Sequence, residues 1–269
     1  WSPYNAIWDN PILNIDPDGA WAMPPSTIVD ERGNVIGGST TDGDFGVYRV
    51  SGVTKGNFDA SKIEQYKKQG TKIGETYSLY SFQSPSTGEW LGHVNMNNGA
   101  EFSISRATQT LGRFMSTHSW KESLKEYMDH AGNFKGAYDL KTLGLPGGKN
   151  ASTAAITAYA YEASFFGSKI ITRRDQGNFF AGRAANMLGL SEATMLSAFG
   201  AYQQNGNKIT GFLNKTKVGL MSIVNWLDQQ VMGAAINGTP AQGLNITPVF
   251  NDDKVSEDLQ RAGYNQMKR

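Results

Sequence analysis

The chain has 269 residues, 39% of them hydrophobic and 18% charged, with a formal net charge of +1 and no cysteine. That length and apolar share suffice to bury the cores of one to three domains. The lack of cysteine excludes disulfide frameworks, thiolate zinc sites and cysteine nucleophiles. No uninterrupted apolar run reaches about 18 residues, so no spanning helix is expected.

The opening residues, Trp1-Ser2-Pro3-Tyr4, carry neither an initiator Met nor a basic stretch before an apolar one, so the expectation is a piece of a longer chain without a signal peptide. Up to about residue 50, turn formers dominate: Asn10-Pro11, Asp16-Pro17-Asp18-Gly19, Pro24-Pro25, Gly37-Gly38 and Asp42-Gly43-Asp44. From Val47 to Ile104 the pattern predicts short strands, with Val47–Val50 as one. Tyr77–Phe82 and Trp90–Val94 form an expected hairpin about the turn at Ser84–Gly88.

The pattern turns helical after Arg106. Ser119 is the expected cap of a helix closed by Gly132, and Ser152 of one reaching Gly167, whose Ala and Phe content predicts a buried core helix and not a membrane segment because Glu162 interrupts it. Asp175 stands where an N-cap would precede Phe179, Phe180 and Met187. Further helices are expected from Ser191, over Val218 to Ala235, and from Ser256. The fold class expected is α+β: residues 1–40 as a terminal segment and linker, 41–105 as a small β-rich module, and 106–269 as a mainly helical domain. Before Gly136 there are 12 Lys/Arg against 15 Asp/Glu, a balance of −3; from Gly136 on there are 13 against 9, a balance of +4. A basic C-terminal half suits contact with a polyanion.

The general catalytic motifs fail. There is no H-E-x-x-H, G-x-S-x-G or G-x-G-x-x-G, and Gly148-Lys149 lacks the phosphate-loop glycine, Leu143 standing in its place. The three histidines, His93, His118 and His130, are scattered. No metal ligand set is read from the sequence and no cofactor is expected, a divalent metal remaining open. Two carboxylate–cation pairs stand out. Asp139 and Lys141 are two apart, which on a strand would put them on one face, and Arg174-Asp175 lies at a helix start. A carboxylate beside a cation can act as acid or base while the cation stabilises a developing anion. The structural alternative is a surface ion pair and a helix cap.

The run Ser2-Pro3-Tyr4-Asn5, Asn10-Pro11 and Ile15-Asp16-Pro17-Asp18-Gly19 closely resembles the end of the core of rearrangement-hotspot (Rhs) proteins of the Bacteroidetes-like kind. Tyr138-Asp139-Leu140-Lys141, Arg174-Asp175-Gln176-Gly177-Asn178 and Gly200-Ala201-Tyr202-Gln203 resemble the polymorphic toxin type 44 group, over roughly residues 136 to 210. The first resemblance implies the C-terminal part of an exported effector, delivered into a target bacterial cell, with the Rhs shell of the parent protein and a cognate immunity protein as partners. The second implies a toxin tip with Asp139, Lys141, Arg174, Asp175 and Asn178 as catalytic candidates, Gly177 as a backbone requirement, and Tyr138, Arg173, Arg183, Tyr202 and Gln203 as substrate-binding candidates. A hydrolase acting on nucleic acid is the expectation, with a peptidoglycan-degrading tip or a non-enzymatic pore-forming or binding tip as alternatives.

Overall fold

A computed structural model describes residues 25–40, 42–78, 81–84, 87–131, 134, 136–192, 195 and 254–267. The chain divides into one compact unit of Trp1–Leu188 with Lys254–Arg269 and another of Gly189–Asp253. The helix expected over Val218 to Ala235, and all of the one expected from Ser191 but Ser191, Glu192 and Met195, lie outside the described residues.

Strands β1 (Thr27–Val29) and β2 (Val35–Gly38) form an antiparallel hairpin. The Asp30 carboxylate closes its turn by accepting from the backbone N–H of Arg32 (2.8 Å) and Asn34 (2.9 Å), while Gly33 takes φ +91°, which favours glycine. Strand β3 (Gly46–Arg49) runs parallel to β1, and a helix α1 (Ile63–Gln69) returns the chain to β4 (Thr71–Thr76), antiparallel to β3. After β5 (His93–Val94) come α2 (Gly99–Met115), α3 (Trp120–His130) and α4 (Thr153–Ala160), then the hairpin β6 (Glu162–Phe166) and β7 (Lys169–Thr172), α5 (Arg173–Met187) and, after the second unit, α6 (Lys254–Gln266).

The fold is α+β, with a mixed seven-stranded sheet in the order β2-β1-β3-β4-β7-β6-β5. Its two outer strands meet: Asn34 bridges His93, Val35 N–H donates to Gly92 O (3.0 Å) and Val94 N–H donates to Gly33 O (2.8 Å). The two ends of the sheet therefore join at this bridge, closing it into a small barrel. Val29, Val35, Val47, Val94, Ala163 and Ile170, one from almost every strand, pack with Phe82 as a single apolar cluster that fills it. The alternate residues Ile28 and Ile36 point outward and are covered by Ile63 and Tyr66 of α1. Helices α2 and α5 cover the outside of the β6–β7 hairpin. Helix α2 buries Ala100, Ile104, Ala107 and Leu111, the stripe a 3.6-residue period requires.

Strands from all three sequence segments build this one sheet. Three local expectations change. The helix from Ser152 does start there, its hydroxyl accepting from Ala155 N–H, but it ends at Ala160 and residues 162–166 are a strand. Ala163 and Phe165 fill the barrel, so tertiary packing decides that segment against its helix-favouring alanines. Nor is α4 a core helix, since Ala154, Ala155 and Ala158 are exposed. The 77–94 turn forms as expected, with Ser84 N–H donating to Glu89 O and Leu91 N–H to Phe82 O, but its pairing stops at the Gln83–Trp90 bridge, and β5 pairs instead with β6. Helix α1 (Ile63–Gln69) and the start of α2 at Gly99 both fall inside the segment read as strands. Among the described residues no helix is long and apolar enough to cross a membrane.

Candidate functional site

Arg173, Arg174, Asp175, Gly177 and Asn178 lie in the first half of α5, and the turns carrying Tyr138–Lys141 pack against it. Thr172 caps this helix, accepting from Asp175 N–H (3.2 Å), so Asp175 is the third helical residue and not the cap. Its side chain is fully buried: Oδ2 accepts from Ser78 Oγ (3.1 Å) and Ser81 Oγ (2.9 Å), and Oδ1 from Arg174 Nε (3.1 Å). The positive end of the helix dipole further favours a carboxylate there. Ser78 and Ser81 belong to the loop after β4, so Asp175 ties that loop to α5.

Both arginines lean on the junction of α4 and β6. The Arg174 guanidinium lies 5.1 Å from the Tyr161 ring centre and donates to Tyr161 Oη (3.2 Å), whose hydroxyl donates to Gln83 O (3.4 Å). Arg173 lies 4.1 Å from the Tyr159 ring centre, donates through Nη1 to Leu143 O (3.2 Å) and pairs through Nε with Glu162 Oε2 (3.4 Å). Each guanidinium thus has an aromatic face beneath it and one carboxylate beside it, an arrangement suited to a planar cation. Lys141 and Lys149, both exposed, add positive charge on the preceding turns.

Asp139 and Lys141 are not on a strand. They sit in a series of turns, where Asp139 accepts from Phe134 N–H (3.0 Å), Thr142 N–H (3.3 Å) and the Thr142 hydroxyl. Phe134, a non-glycine residue at φ +61°, is held in that left-handed conformation in part by this bond. The Asp139 carboxylate is therefore used within its own loop. Those turns pack on the α5 face carrying Arg173, Gly177 and Phe180: a Cβ placed on Gly177 would be 3.7 Å from Lys141 N, and the Tyr138 ring stacks on Phe180 at 6.0 Å. At 100° per residue Asp175 lies about 200° round from Arg173. The two carboxylates accordingly serve different sides of the helix and do not form one cleft.

The remaining candidates are spread further. Tyr138 is in an aromatic cluster with Tyr127 and Phe180, where burial raises its phenol above the ordinary range. Asn178 donates to Ser256 Oγ (2.8 Å) and ties α5 to α6. Arg183 bonds Thr108 Oγ1 (3.3 Å) and the Gln266 side chain and lies against the Phe179 ring; its Nε is buried with no hydrogen-bond partner among the described residues, and burial pulls its pKa down. Tyr202 and Gln203 lie outside the described residues. Among the described residues no group of three or more His, Cys, Asp or Glu side chains could hold a metal ion. Ser78, Ser81 and Tyr161 were missed from sequence because their roles depend on contacts 13 to 97 residues away. Glu162 had a signal: it is the lone carboxylate in an Ala- and Phe-rich run.

Comparison with known family models, with curated proteins and with solved structures found no match.

Proposed function

We propose that this chain is the toxin-bearing C-terminal part of an Rhs-type effector, delivered into a target bacterial cell, and that it is a hydrolase acting on nucleic acid. The observation that carries the substrate class is the pair of arginines at the start of α5, over the rings of Tyr159 (4.1 Å) and Tyr161 (5.1 Å), with exposed Lys141 and Lys149 in the preceding turns. Guanidinium groups bind phosphate through their N–H edges, and aromatic rings accept bases by stacking. The +4 balance of the C-terminal half adds long-range attraction for the same ligand. The spacing of Ser2-Pro3-Tyr4-Asn5, Asn10-Pro11 and Ile15–Gly19 supports the effector reading, and with it a cognate immunity protein and the parent shell as partners.

Incubating the purified chain with RNA, DNA, peptidoglycan and dye-loaded liposomes tests this reading. Shortening of nucleic acid, weakened by added salt, is the expected result. Release of cell-wall fragments or of dye, with nucleic acid intact, would replace it by the glycan-cleaving or pore-forming alternative.

A further inference from the structure

Where the barrel closes, four polar residues from four separate segments stand in one row across its outer surface. Asn34 bridges His93 in antiparallel register, His93 is the parallel partner of Glu162, and the Ala163–Thr172 pairing of β6 with β7 puts Glu162 opposite Arg173. The neighbours Val35, Val94 and Ala163 belong to the cluster inside the barrel, so the row faces outward. No sequence motif signals it, because the four residues span positions 34 to 173.

The hydrogen bonds fix what each group can do. Asp30 accepts from Asn34 Nδ2 (2.8 Å), which turns the Asn34 carbonyl oxygen toward His93 Nδ1 at 3.2 Å. Nδ1 must then carry the hydrogen, and Nε2 is the nitrogen that exchanges a proton with a ligand. Glu162 Oε2 accepts from Arg173 Nε at 3.4 Å, and Arg173 is held from below by Tyr159. Among the described residues His93 forms no ion pair with Glu162, and adjacent strands stand about 4.8 Å apart. An oriented imidazole, a carboxylate and a guanidinium thus line a strip about as wide as a phosphodiester.

We propose that this row cleaves RNA, an inference that rests on the nucleic-acid reading above and narrows it. The Glu162 carboxylate takes the proton of a ribose 2′-hydroxyl, and the 2′-oxygen forms a bond to phosphorus as the bond from phosphorus to the 5′-oxygen breaks. Protonated His93 gives its Nε2 proton to that leaving oxygen. Arg173 stabilises the charge on the non-bridging oxygens. The products are a 2′,3′-cyclic phosphate and a 5′-hydroxyl, with all atoms and charge supplied by substrate and side chains.

The test uses the full chain and an end-labelled RNA oligonucleotide, a second copy of which carries a single 2′-deoxyribose at the preferred cleavage position. Cyclic phosphate ends, an uncut deoxy linkage and a bell-shaped pH profile are expected from the parent. His93→Gln and Glu162→Gln should each lower kcat by about 10²- to 10⁴-fold, each removing one limb of the profile, at an unchanged melting temperature. Cleavage at the deoxy linkage, or parental rates in both variants, overturns the row as the site and leaves the nucleic-acid reading standing. RNA left uncut while DNA is shortened does the same, whereas a parent that cuts no nucleic acid overturns both.

Discussion

Asp175 shows how a charged side chain can be a structural anchor in a segment that reads as catalytic. Its carboxylate is fully buried with two hydroxyls and a guanidinium around it, so removing it takes a hydrogen bond from each of the three and leaves a cavity among them. Breaking such a buried pair costs about 3–5 kcal/mol. Asp175→Ala should therefore lower the melting temperature of the chain sharply and lose activity with the fold; an unshifted melt with abolished activity would instead make Asp175 a direct participant. Glu75 carries the clearest pH dependence. Hydrogen bonds from Lys169 and Lys72 hold its carboxyl at about 2, against an ordinary 4.5. Because the folded value lies below the unfolded one, the stabilisation is present above about pH 4.5 and is lost as pH falls toward about 2. Thermal melts across that window should decline less steeply for Glu75→Gln than for the parent, and equal slopes would show that the pair contributes nothing.

Helices α5 and α6 touch backbone to backbone. A Cβ on Gly182 would lie 1.7 Å from Gln260 O, and one on Gly263 1.8 Å from Phe179 O. Gly182→Ala must push the helices apart, an overpacking change that costs about 1–3 kcal/mol. Its expected signature is faster proteolysis around residues 254–267 with the rest of the chain protected; an unchanged digestion pattern would mean that this crossing is not tight. Which elements were legible in the sequence follows from how local their causes are. Helix α3 was, because Ser119 and Glu122 form a capping box within one turn: Glu122 N–H donates to Ser119 Oγ and Ser119 N–H to Glu122 Oε2. The burial stripe of α2 was present but carried by two alanines, and so passed as strand-like polarity. β5 is two residues long and β6 follows helix-favouring alanines; both exist because the barrel needs Val94, Ala163 and Phe165 inside it. The segments at 138–141 and 173–178, picked out by their local motifs, do pack against each other at α5. The alignment of Asn34, His93, Glu162 and Arg173 is set by strand register and was invisible.

The closed sheet makes the molecule indivisible at the boundary the sequence suggested. Among the described residues, strands β1 to β5 precede residue 105 and β6 and β7 follow it. A chain starting at residue 106 keeps the β6–β7 hairpin, whose two outer edges have lost β4 and β5. Unpaired edges of this kind template aggregation, so this fragment should melt without cooperativity and form large species in size-exclusion chromatography, whereas a cooperative melt at the parental temperature would show that the C-terminal segment folds alone. The proposed function is tested most directly by the compartment in which the whole chain kills. Expression without a secretion signal should arrest bacterial growth with fragmentation of cellular nucleic acid, and the same chain directed to the periplasm should leave cells growing. Killing confined to the periplasm, with nucleic acid intact, would contradict the account.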